Sequence, residues 1–146
     1  RHAIHLGVRG YVPPTRTSYV AGYRFYVDDW GVRAHTPEAR LIQEIVRGVE
    51  VRARYRWHAQ SAADFYRDVY TQAELDQNPY VVSDEKLGTL TTHLIGGQVV
   101  VGLGALGVRG PWAGARFDIT AERLYQSTSF GPAWIFQLGM SAPLSP

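Results

Sequence analysis

The sequence predicts an all-β chain: an antiparallel, up-and-down transmembrane β-barrel, or a segment of a larger one, in one domain over residues 1–146. Three observations predict it: alternation with a period of two, strands longer than globular ones, and confinement of charge to one face of each strand. Val49 to Gln60 carries all three. Val49, Val51, Ala53, Tyr55, Trp57 and Ala59 fall on one face, with Glu50, Arg52, Arg54, Arg56, His58 and Gln60 on the other. A helix would scatter those charges around its circumference, whereas a strand separates them completely.

Six further segments follow the pattern less strictly. In residues 1–12, Ile4, Leu6 and Val8 oppose His5 and Arg9. In 18–27, Tyr19, Ala21, Tyr23, Phe25 and Val27 oppose Ser18, Gly22, Arg24 and Tyr26. Residues 33–45 set Ala39 and Leu41 against Glu38, Arg40 and Glu44. Residues 87–103 are long and rich in Gly, Thr and Val. In 115–126, Phe117, Ile119 and Ala121 oppose Arg116, Asp118, Thr120 and Glu122. In 133–142, Trp134, Phe136, Leu138 and Met140 oppose Gln137, Gly139 and Ser141. These lengths reach the ~9–11 residues of a tilted membrane strand, where a globular strand has ~5–6.

Short turns are expected at 12–18, 28–31, 46–48 and 127–132, a Gly-rich turn at 107–114, and one long polar loop at 61–86. Bacterial barrels have short periplasmic turns and longer outside loops. Placing 61–86 outside puts 28–31 and 127–132 on the same side. The last strand then ends in the periplasm and the first begins outside. An odd strand count does not fit a bacterial barrel, so at least one more strand is expected before Arg1 or undetected within the chain.

Composition excludes several classes. No stretch approaches the ~18–20 apolar residues of a spanning helix. A net charge of +2 is too small to imply nucleic acid, and without cysteine there is no disulfide or thiolate chemistry. Lys86 is the single lysine beside 14 arginines. Arginine forks suit carboxylates in confined places, although a GC-rich genome gives the same bias.

Alternation alone also fits a soluble antiparallel β-barrel that binds a small apolar ligand, and this is the alternative reading. The membrane reading rests on strand length, on a lipid-facing band (Val49, Val51, Ala53, Tyr55, Trp57) closed by aromatic residues, and on charge density. Arg52, Arg54, Arg56 and His58, with Glu50, Asp118 and Glu122 and with Glu38 and Glu44 nearby, are expected to form a lumen charge ladder. The Arg52–His58 stripe suits an anion-attracting pore. The favoured reading is a filled lumen in which carboxylates neutralise it.

Other candidates have plainer explanations. Asp28 and Asp29 before Trp30-Gly31 suit a cation, but a tight turn needs such residues too, and Trp30 would anchor at the interface. Asp64, Asp68, Glu74, Asp76, Asp84 and Glu85 suit Ca²⁺ but match no EF-hand spacing. Phe65, Tyr66, Tyr70 and Tyr80 suit a plug at the barrel mouth or a partner contact. His2, His5, His35, His58 and His93 are scattered over the strands. No nucleophile elbow, phosphate-binding Gly loop or zinc spacing occurs, so no catalytic residue, metal or cofactor is expected.

Tyr23-Arg-Phe-Tyr-Val-Asp-Asp-Trp-Gly-Val-Arg-Ala-His-Thr36, His58-Ala-Gln-Ser-Ala-Ala-Asp-Phe-Tyr66 and Ser83-Asp-Glu-Lys-Leu-Gly88 together resemble an uncharacterised bacterial domain family predicted to form outer-membrane barrels. The resemblance covers about residues 19–104, and more loosely the rest. It implies a bacterial outer-membrane, porin-like location with lipids, other envelope proteins or further strands as partners, and no activity. Family members are longer, in keeping with the missing strand. The ending Ala142-Pro-Leu-Ser-Pro146 departs from the terminal aromatic residue common in such barrels. The expected function is therefore a structural or channel-type barrel, or a sheath around a larger envelope assembly, and not an enzyme.

Overall fold

A computed structural model describes residues 1–77 and 82–143. It contains one antiparallel sheet in which every strand pairs with its sequence neighbours. The strands are β1 (His2–Val12), β2 (Thr17–Val27), β3 (Arg33–Val46), β4 (Val49–Gln60), β5 (Leu90–Gly102), β6 (Arg116–Gln126) and β7 (Ala133–Ser141). All seven expected strands are present, with ends shifted by at most three residues. No eighth strand appears among the described residues. β1 and β7 are the edges of the sheet, which is open rather than closed into a barrel.

Turn chemistry sets the connections. The β3–β4 hairpin closes on Gly48 at φ 83°, a conformation that disfavours a Cβ. One register shift between Glu44 and Val46 absorbs Ile45 as a bulge before that turn. In the β2–β3 turn Asp28 accepts hydrogen bonds from the backbone N–H of Trp30 (3.0 Å) and Val32 (3.2 Å), and Gly31 sits at φ 77°. This is the local side-chain-to-backbone bonding for which Asp is chosen in turns. The 61–86 connection is not featureless. It holds a short helix, α1 (Gln72–Gln77), a parallel bridge between Tyr66 and Val82, and a 3₁₀ turn at Glu85–Leu87 capped by Asp84.

The pairing preserves side-chain parity across all seven strands. Val20, Arg40, Arg54, Gly96, Glu122 and Ile135 lie side by side in one row. Tyr19, Leu41, Ala53, Gly97, Ala121 and Phe136 form the adjacent row on the opposite face. The apolar face continues through Ile4, Leu6 and Val8 on β1, Val51 and Tyr55 on β4, Ile95 and Val99 on β5, and Leu138 and Met140 on β7.

Among the described residues nothing packs on that face. Leu6 is 66% exposed, Leu41 53%, Phe136 72% and Leu138 74%. Accessible surface totals 10396 Å², where a compact globular chain of this mass exposes about 7,500 Å². Only six hydrophobic residues are buried among those described: Val32, Ala34, Ala63, Leu94, Val100 and Ala115. The sheet therefore has no hydrophobic core of its own.

Gly96 shows how the two faces differ in crowding. A Cβ there would lie 2.6 Å from Glu122 Cγ, whereas one on neighbouring Gly97 meets nothing closer than 3.7 Å. Gly96→Ala is expected to destabilise the sheet by about 1–3 kcal/mol through overpacking. Gly97→Ala should be close to neutral, as checked by the denaturation midpoints of the two variants.

Candidate functional site

The charged face of β3–β6 is the densest chemical feature of the chain. On β4, Arg52, Arg54 and Arg56 project from alternate positions onto one face, as the sequence predicts. Arg54 donates to Glu38 on β3 (3.2 Å) and to Glu122 on β6 (3.5 Å). Glu38 also pairs with Arg40 at 2.5 Å. Arg52 donates to Glu50 (2.7 Å) and to the Gln98 side-chain oxygen (3.2 Å). The Gln98 amide donates in turn to Asp118 at 2.8 Å. Glu50 also faces Arg116 on β6 at 3.7 Å.

Two of these pairs, Arg54–Glu122 and Arg116–Glu50, reach from β4 to β6 across β5. Strands two apart lie about 9.5 Å apart, so the linking side chains must extend over the strand between them. Gly96 leaves that path open, and the Glu122 side chain lies over it. Glu122 is the one buried charged residue among those described, at 8% exposure. Its carboxylate is removed from water with Arg54 as its single ion-pair partner. The charge-assisted bond offsets part of the desolvation cost.

The expected ladder is only partly assembled. Arg52, Arg54, Glu50 and Glu122 belong to it. Asp118 is reached through Gln98, not by an arginine. Among the described residues Glu44 makes no ion pair and Arg56 has no carboxylate in reach. The buried Nε of Arg56 lacks a partner among them, as do those of Arg52 and Arg54. His58 turns to Thr36 (2.9 Å) and Gln60 (3.3 Å). The sequence reading missed Arg40, Arg116, Gln98 and the Gly96 gap. Arg40 and Arg116 share the parity of the charged face and were legible by that rule. Gln98 and Gly96 carry no sequence signal, because their roles depend on which residues stand across the sheet.

Val49, Val51, Ala53, Tyr55 and Trp57 lie together on the opposite face. Val51, Ala53 and Tyr55 are exposed, and Val49 and Trp57 half-buried. Tyr55 meets His93 across the strand pair at 2.9 Å, and Tyr23 meets His35 in the same way. Tyr125 and Trp134 flank Arg123 at the same end of the sheet, with the guanidinium 5.4 and 5.0 Å from their ring centres. Aromatic side chains thus cluster toward the end that carries the 61–86 loop.

The remaining candidates resolve into structural roles. Trp30 packs edge-on against Phe65, with the Arg1 guanidinium 4.9 Å from its ring centre, so it ties the β2–β3 turn to the long loop. Tyr66 donates to Asp68, and Tyr70 donates to the Phe65 and Val82 carbonyls. These aromatics staple the loop to itself. Tyr80 and the Glu74 side chain lie outside the described residues. Asp84 caps the 3₁₀ turn, Glu85 accepts from Ser129, and Asp76 accepts from Gln72. No group of three or more metal-ligating side chains occurs among the described residues. His35 and His93 lie on the apolar face and His5 and His58 on the charged one.

Arg54→Ala is expected to cost roughly 1–3 kcal/mol, because it strands the buried Glu122 carboxylate. Adding Glu122→Gln should recover part of the loss in a double-mutant cycle of unfolding free energies. In the β2–β3 turn, desolvation pushes the Asp28 carboxyl upward. Hydrogen bonds from Tyr26, Trp30 and Val32 outweigh it and hold the carboxyl below the usual carboxylate range. A depressed folded value contributes stability that is present above the unfolded pKa and lost as pH falls through the folded one. The turn should therefore stay ordered at pH 5 and fray below about pH 4, followed by the Trp30 indole resonance.

No curated protein and no solved structure matches the chain. Residues 1–125 match the model of DUF3570, described as a protein of unknown function, a longer match than the 19–104 resemblance read from the sequence. The chain thus belongs to the DUF3570 family, whose function is unknown.

Proposed function

We propose that the seven strands are wall of an outer-membrane β-barrel of structural or channel type, with the apolar face in hydrocarbon and the charged face toward an enclosed lumen. One observation carries the reading: a sheet seven strands wide presents a largely apolar surface, broken near the loop end by His35, His93 and Arg123, with no second layer over it among the described residues. An apolar patch of that size is abnormal on a soluble monomer. A bilayer covers it along its whole width and needs nothing further from the chain.

Three features support the orientation. Small and aliphatic residues such as Ala21, Ala39, Leu41, Ala53 and Val99 occupy the middle of the face. Tyr23, Tyr55, Trp57, Tyr125 and Trp134 occupy the loop end, where amphipathic rings suit the headgroup level. On the reverse face Arg40, Arg52 and Arg54 pair with Glu38, Glu50 and Glu122, groups that hydrocarbon would strip of water without replacing it. Closure requires β1 and β7 to find partners, supplied by further strands of the same barrel. The ion-paired centre at Arg52, Arg54 and Glu122 favours a filled lumen over an open anion pore there.

Spin labels at Leu41→Cys, Val99→Cys and Thr120→Cys test the orientation in reconstituted vesicles. Leu41 and Val99 labels should collide preferentially with oxygen, and the Thr120 label with a water-soluble nickel chelate. Equal nickel access at all three, or a monodisperse protein without detergent, would return the chain to the soluble-barrel alternative.

A further inference from the structure

The charged face has a second region that the ion-pair network leaves unbalanced. A cleft of about 630 Å³ lies over β1–β4, lined by His5, Arg9, Arg24, Glu38, Arg40 and Arg56 around a glycine floor. Its cations outnumber its acids four to one. The one acid, Glu38, is already bonded to Arg40 and Arg54. Arg9, Arg24 and Arg56 have no carboxylate within ion-pair distance among the described residues. Arg56 faces Glu38 as its direct strand partner, yet the carboxylate is turned toward the other two arginines.

The floor explains why the space exists. Gly7 and Gly22 are direct partners on β1 and β2, and Gly22 faces Glu38 on β3. Two facing glycines remove the side chains that would fill the centre of a ring of arginines. A Cβ on Gly7 would make only ordinary contacts, 3.4 Å to the His5 ring and 3.6 Å to the Ala21 carbonyl. A Cβ on Gly22 would come 3.2 Å from His5 Nε2, so the ring would have to give way there. The His5 imidazole lies over both glycines and forms one wall of the cleft.

We propose that this cleft binds a phosphate-bearing small molecule, with Arg9, Arg24 and Arg56 converging on the phosphate oxygens above the Gly7–Gly22 floor. Guanidinium forks pair with carboxylate and phosphate alike. Three cations around one floor match a multiply charged tetrahedral group, whereas a monocarboxylate occupies a single fork. The site adjoins the Arg52–Arg54–Glu122 network through Glu38, but the arginines of that network, unlike Arg9, Arg24 and Arg56, already pair with carboxylates. Binding depends on the charged face alone and not on the membrane orientation of the other face.

The test is calorimetric titration of the folded full chain, in detergent and at constant ionic strength, with inorganic pyrophosphate, inorganic phosphate and acetate. Saturable one-site binding of pyrophosphate or phosphate is expected, with acetate at least about tenfold weaker. Arg9→Gln and Arg56→Gln should each weaken phosphate binding about tenfold or more, while Arg116→Gln, outside the cleft, leaves it unchanged. Gly7→Val keeps every arginine and fills the floor, so it should also abolish binding in a protein that folds normally. Absence of saturable binding, equal binding of acetate, or retention of affinity in Arg9→Gln and Gly7→Val would overturn the assignment. In that case the surplus arginines serve carboxylates of strands beyond β1. Because the spin-label experiment reads the other face, failure of either proposal leaves the other standing.

Discussion

Register is the constraint on which everything else in this structure depends. Six consecutive strand pairs keep even-numbered residues of β4 in line with even-numbered residues of β3, β5 and β6. Side chains alternate with a period of two, so slipping one strand by a single residue would turn its charges to the apolar side. For β4 that would place Arg52, Arg54 and Arg56 among Leu41, Val99 and Ile95. The resulting penalty specifies the alignment more strongly than the hydrogen-bond ladder, which is nearly indifferent to register.

The two faces are stabilised by different physics. On the charged face, lateral pairs tie strands together, including the spans from β4 over Gly96 to Glu122 and from Arg116 to Glu50. The Arg54–Glu122 pair is part-buried and escapes the screening that makes exposed pairs nearly worthless, whereas Arg116 is 57% exposed and its contact with Glu50 contributes little. On the apolar face there is little lateral contact beyond neighbouring strands, and exposure of residues such as Phe136 and Leu138 stays high. Such a sheet gains its hydrophobic stabilisation from whatever covers it, which in the proposed orientation is lipid.

The two ends of the sheet are also unlike. At the loop end, the β2–β3 turn, the 61–86 connection and the β6–β7 turn are joined to one another. Trp30 meets Phe65, Ser61 accepts from the Arg33 N–H, and Glu85 accepts from Ser129. A layer built this way holds three hairpin ends in fixed positions. The opposite end has compact turns, with the 103–115 segment folded into short 3₁₀ pieces.

The sequence by itself determined the strands, their number and which residues share a face, because alternation in a segment such as Val49–Gln60 is a local property. Turn sites at Asp28–Gly31 and Gly48 were legible for the same reason, since the residue type reports its own backbone needs. Tertiary structure decided which charges meet. Arg54 and Glu122 are 68 residues apart and become neighbours only when β5 places Gly96 between them, while Asp118 is claimed by Gln98 and Arg56 is left without an acid. The Gly7–Gly22 floor likewise exists only through pairing of β1 with β2. Contacts of this kind depend on register and on the strand in between, and neither is written in any one segment of the chain.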